Sequence, residues 1–142
     1  MLETPKGEPA YRVDYDEWPL VVVRVGRPMT PKELRSYLEL CDREILARGE
    51  RYAVILVTEH NKRSMNSETM KIQSDYLNER REIMGELCVA SALVTNTVSP
   101  IVQFTVSMMM SILSRHPTPW KMFGTEEAAR KWALGLLQQQ GA

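Results

Sequence analysis

Hydrophobic positions along this chain switch between two periods, and the switches mark out its elements. Tyr11-Arg-Val-Asp-Tyr15 alternates, as a half-buried strand does. Asp16–Pro19 carries turn formers, and Leu20–Val25 is a β-branched run closed by Gly26, so the two segments read as an opening hairpin. Thr30-Pro31-Lys32-Glu33 supplies a cap, a first-turn proline and a capping-box glutamate, which predicts a helix start. Leu34, Tyr37, Leu38, Cys41, Ile45 and Leu46 keep helical spacing up to Gly49, a residue suited to a left-handed stop. Tyr52–Thr58 is continuously apolar, the mark of a strand covered on both faces. A second helix is predicted over Asn66–Met84, ended by Gly85. Its thin apolar set (Met70, Ile72, Tyr76, Leu77, Ile83, Met84) leaves a broad face to solvent. Leu87–Thr95 is another buried strand, a helix begins at Ser99, and Trp120–Phe123 is a short strand. Gly124-Thr-Glu-Glu then opens a last helix, with Ala128, Ala129, Trp132, Ala133, Leu136 and Leu137 on its buried side.

This order, β-β-α-β-α-β-α-β-α, predicts an α/β fold: a mixed, largely parallel five-stranded sheet with helices packed on it. Buried runs joined by helices pair in parallel through right-handed crossovers, and the opening hairpin makes one edge antiparallel. A chain of 142 residues suits one domain with a proper core. The expected boundaries are a flexible N-terminal tail over residues 1–10 and a single domain over 11–138.

The segment Ser99–Ser114 departs from this pattern. Ser99 and Pro100 read as an N-cap and first helical residue. At about 100° per residue, Gln103, Ser107, Ser111 and Ser114 then share one narrow stripe. Ile101, Phe104, Met108 and Ile112 lie on one side of it; Val102, Val106, Met109, Met110 and Leu113 lie on the other. A helix on a sheet needs an apolar arc of roughly 100°, and this one offers about twice that. Val102, Val106, Met109, Met110 and Leu113 therefore form a candidate interface for a second copy, a regulatory protein partner or a small apolar ligand. The competing reading is burial between the sheet and neighbouring helices.

Charge narrows the partners. Eighteen basic and eighteen acidic residues give a formal net charge of zero, which removes the electrostatic case for nucleic acid or an anionic membrane surface. The apolar run Ile101–Leu113 is too short and too interrupted by serine to form a transmembrane segment. Nothing near Met1 resembles a signal peptide, and the two cysteines, Cys41 and Cys88, are widely separated without a partner motif. A reduced, cytoplasmic setting is the expectation.

Ligands of open α/β sheets sit beyond the carboxyl ends of the strands. The polar loop there contains Thr58, Glu59, His60, Asn61 and, further on, Ser64. Glu59 and His60 have the chemistry of an acid/base pair, yet neighbours on a strand end point in opposite directions, so the loop reads as a connector whose polar residues cap the next helix. Phosphate-cradling glycines, nucleophile elbows and metal-ligand spacings are missing from the sequence. The expectation is a chain that is not an enzyme, with no catalytic residues, no metal site and no cofactor.

Three phrases add a family resemblance: Thr30-Pro-Lys-Glu-Leu-Arg-Ser-Tyr-Leu, Gly49-Glu-Arg-Tyr-Ala-Val-Ile-Leu-Val and Phe123-Gly-Thr-Glu-Glu-Ala-Ala-Arg-Lys-Trp-Ala. With the element order, they resemble the SpoIIAA-like branch of the STAS (sulfate transporter and anti-sigma-factor antagonist) superfamily, also described as STAS/SEC14-like, over about Tyr11 to Leu137. The resemblance implies a small regulatory, signalling or ligand-sensing domain. The STAS antagonists carry a phosphorylatable serine in an Asp-Ser-(Ser/Thr)-Gly-like motif after the third strand. Ser64 and Ser67 occupy that neighbourhood here, within Thr58-Glu-His-Asn-Lys-Arg-Ser-Met-Asn-Ser-Glu, without the flanking Asp and Gly.

Overall fold

The computed structural model describes residues 10–59, 67–95 and 118–141 of the chain. Five strands form one sheet in the order of the sequence: β1 (Tyr11–Glu17), β2 (Leu20–Val25), β3 (Tyr52–Thr58), β4 (Cys88–Val94) and β5 (Trp120–Phe123). β1 and β2 pair antiparallel; β2, β3, β4 and β5 run parallel. The described helices are α1 (Pro31–Glu44), α2 (Ser67–Glu79), α3 (Arg81–Leu87) and α4 (Glu126–Gly141). This is the α/β class with the mixed five-stranded sheet that the pattern predicts.

The sheet is packed on both faces because its central strands are apolar at nearly every position, Arg24, Thr58 and Ser91 excepted. On one face, Leu20, Val22, Ile55 and Ala92 meet α4 through Ala129 and Ala133, both fully buried. Two alanines at i and i+4 leave no bulk between helix and sheet, and Phe123 and Trp132 close the flank with ring centroids 5.5 Å apart. On the opposite face, Val21, Val23 and Val25 pack with Ile45 and Leu46, backed by Tyr37 and Cys41 of α1 and Met84 of α3. The switch of face from Val22 to Val23 is the period of two expected along a strand.

α1 begins where its capping box predicts: the Glu33 amide donates to Thr30 Oγ1 (3.1 Å), and the Thr30 amide donates to Glu33 Oε1 (2.9 Å). It ends at Glu44, earlier than Gly49. A 3-10 turn over Leu46–Arg48 then buries Leu46, and Gly49 stops that turn with φ of 66°. Ala10, expected in the tail, is buried and its carbonyl accepts from the Gly26 amide (2.9 Å). α4 likewise runs to Gly141, beyond the expected boundary at 138.

The long helix expected over 66–84 is two helices. The break falls at Arg80 (φ −112°, ψ 17°), whose side chain is held by Asp42 of α1. Gly85 stops nothing. It lies inside α3, which passes directly into β4 at Cys88 (φ −87°, ψ 108°), so a left-handed residue is not required there. The buried side follows the expected apolar set only in part: Tyr76 is buried as expected and Thr69 joins it on α2, whereas Met70 of α2 is 56% exposed and Ile83 of α3 is exposed.

Candidate functional site

The carboxyl ends of the parallel strands are the place to look, and the structure describes part of that rim. Thr58 ends β3. The Glu59 amide donates to Val25 O at 2.8 Å, which ties the start of the polar loop to the end of β2. The Glu59 carboxylate reaches past Gly26 toward the sheet edge, where Arg12 Nη2 of β1 donates to its Oε1 at 3.4 Å. Across the sheet, the Thr95 amide donates to Phe123 O (2.9 Å), and Thr125 Oγ1 accepts from the Ala128 amide (3.2 Å) at the start of α4.

A second charged group lies beside the first. Arg24, the single charge in the run Leu-Val-Val-Val-Arg-Val, sits on the α4 face of β2 and donates through both terminal nitrogens to Glu126 (3.0 and 3.0 Å). Arg130 donates to Glu126 Oε2 (3.2 Å) and also to Glu17 at the end of β1. Hydrogen bonding from Arg24 holds the Glu126 carboxyl below its ordinary value, and hydrogen bonding to Glu17 raises Arg130. Arg27 binds Glu33 in the same two-pronged way (3.0 and 2.6 Å), which lowers the Glu33 carboxyl to about 2. Such pairs keep each carboxylate ionised and each arginine charged, so these groups accept and donate hydrogen bonds instead of passing protons.

Of the polar-loop residues, the structure places Thr58 and Glu59 and brings Glu59 to Arg12. His60, Asn61 and Ser64 lie outside the described residues, so the Glu59–His60 pair has no geometry here. The interface residues Val102, Val106, Met109, Met110 and Leu113, with the whole Ser99–Ser114 segment, lie outside them too. Ser67 is the exposed first residue of α2. Among the described residues, no three His, Cys, Asp or Glu side chains gather into a metal site, and no helix is long and apolar enough to cross a membrane.

Sequence reasoning passed over two constellations. Arg24 carried a visible signal, a lone charge within a buried run. Asp42 and Arg80 carried none, since each reads as an ordinary helix-surface residue, and Tyr76 reads only as part of the apolar set of its helix. Asp42 accepts from Tyr76 Oη (3.0 Å) and from Arg80 Nε and Nη2 (2.6 and 2.6 Å), while the guanidinium lies 4.1 Å from the Tyr76 ring centroid. Asp42 and Arg80 border a shallow cleft of about 460 Å³, lined also by Leu46, Ala47, Glu79 and Ile83. Cys41 is half-buried beside Tyr37 and Cys88 is buried beside Tyr52, and loss of solvent pushes Cys41 up to about 12 and Cys88 up to about 11. Both are free, and both are poor nucleophiles at neutral pH.

No protein-family model matches the chain, and neither the curated proteins nor the solved structures yield a significant match.

Proposed function

We propose that the chain is a non-catalytic regulatory or protein-interaction module of the SpoIIAA-like/STAS kind, acting in the cytoplasm and forming a homodimer through the 99–114 helix. The observation that carries the non-catalytic part is the pairing at the rim. Glu126 is held by Arg24 and Arg130, and Glu33 by Arg27. Carboxylates fixed by arginine serve a rigid surface better than a proton-transfer centre. The strand order and the opening antiparallel hairpin are compatible with the family resemblance. The second apolar side of Ser99–Ser114 supports self-association, because on a lone molecule it would add a patch of the size that marks an association site. Two free cysteines fit a reducing compartment.

Sedimentation of the wild type and of Met109→Glu tests the reading. A dimer at micromolar concentration that becomes a folded monomer on substitution supports it. A monomeric wild type, or a variant that unfolds because Met109 belongs to the core, overturns it.

A further inference from the structure

We infer that the outer edge of β1 is a self-pairing surface, on which two copies of this chain join antiparallel over Tyr11–Tyr15, centred on Val13. The inference does not rest on the 99–114 helix. β1 has one neighbour, β2, among the described residues. The Gly26 amide donates to Ala10 O, and Tyr11 stands opposite Val25, Arg12 opposite Arg24 and Val13 opposite Val23. In an antiparallel ladder the backbone groups alternate. Those of Ala10, Arg12 and Asp14 therefore turn toward β2, and those of Tyr11 and Val13 turn outward, up to the register shift between Asp14 and Glu17. Beyond that shift the Tyr15 carbonyl accepts from the Trp18 amide (3.0 Å) within the turn.

Outward groups must meet outward groups, which limits a twofold pairing to registers centred on single residues, and charge then selects among them. Centred on Arg12, the pairing sets Arg12 against Arg12 of the second copy. Centred on Asp14, it sets Asp14 against Asp14. Centred on Val13, it sets Arg12 opposite Asp14 of the second copy, and Asp14 opposite Arg12, with no like charges facing. Opposed charges at these positions stabilise a strand pair, and like charges destabilise it. Both side chains are exposed and lie on one face of the sheet, in the more closely spaced class of cross-strand pair. Arg12 is held by Glu59 only at 3.4 Å, so it can reach a second carboxylate. On the other face, Tyr11, Val13 and Tyr15, each half-buried against the α1 layer, would continue that layer across the axis through Tyr11–Tyr15 pairs.

The test is a charge-reversal cycle read as mass by sedimentation equilibrium at low ionic strength, with far-UV circular dichroism to verify folding. Arg12→Asp alone places a carboxylate opposite Asp14 at both symmetry-related positions, and Asp14→Arg alone places two guanidinium groups together. Each should raise the dissociation constant at least about tenfold. The double reversal restores the attraction and should return association to within about threefold of wild type. Run in the Met109→Glu background at about 100 µM, well above the micromolar range in which the helix interface is read, the cycle should give the same pattern. Equal association of the wild type and the three charge variants overturns β1 pairing and leaves the helix reading standing. A wild type that stays monomeric at about 100 µM overturns both.

Discussion

Glu33→Gln should weaken the fold by an amount that depends on pH in one direction only. Glu33 serves two structures at once: it closes the capping box of α1 on Thr30, and it receives both prongs of Arg27. The glutamine keeps an oxygen for the Thr30 amide, so the substitution removes the charge and spares most of the cap. Lowering the carboxyl from 4.5 to about 2 corresponds, at about 1.4 kcal/mol per pH unit, to a ceiling of roughly 3 kcal/mol. Solvent reduces that ceiling, since the Arg27 and Glu33 side chains are 41% and 29% exposed and exposed pairs contribute about 0–1 kcal/mol. About 1–1.5 kcal/mol at pH 7 is therefore expected from urea unfolding, with the m-value unchanged. A carboxyl with a depressed folded value contributes fully above its unfolded value and loses the contribution as pH falls through the folded one. The wild type and variant should thus differ fully above pH 4.5, by less than about half as much near pH 3, and not at all below about 2. Adding Arg27→Met to the variant should cost little more, because the pair is already broken. A difference that persists undiminished at pH 3, or none at pH 7, would refute the pairing as its source.

Two further outcomes follow from burial. Ile55→Ala empties a fully buried position between β3 and α4 and should cost about 2–5 kcal/mol in chemical denaturation; a cost under about 1 kcal/mol would mean that this face collapses easily. Cys41 and Cys88 should react with a thiol reagent at pH 8 far more slowly in the folded protein than after unfolding, because burial raises both thiols to about 11–12. Rapid labelling of either would contradict the packing around it.

Where local chemistry decides the structure, the sequence was easy to read. The Thr30–Glu33 cap and the Tyr52–Thr58 run each contain their whole cause within a few residues, and both elements begin where expected. Gly85 shows where that reading stops. A glycine ends a helix when the chain needs a left-handed residue to turn away, but α3 leads straight into β4, and that need is set by the position of β4 in the sheet. The break at Arg80 likewise depends on Asp42, a residue 38 positions earlier. Met70 was assigned to a buried side by periodicity, yet Thr69 took the buried position, because contact with α1 and not hydrophobicity set the rotation of α2.

The candidate surface was harder to see for the same reason. Arg24 and Glu126 are 102 residues apart, and only the return of α4 across the sheet after β5 brings them together. Within β2, Arg24 is the one charge in an otherwise apolar run. In the folded chain it is the point where the apolar surface under α4 gives way to charge: beyond Val22 and Leu20, the α4 face of the hairpin carries Arg24, then Arg12 and Asp14 on β1. α4 covers the apolar part, and Glu126 and Arg130 in its first turns neutralise the boundary. The hairpin edge beyond is left polar on one face and aromatic on the other. An edge of that composition resists indiscriminate strand addition, so any strand that pairs with it must match its charges in register. β1 itself supplies that match.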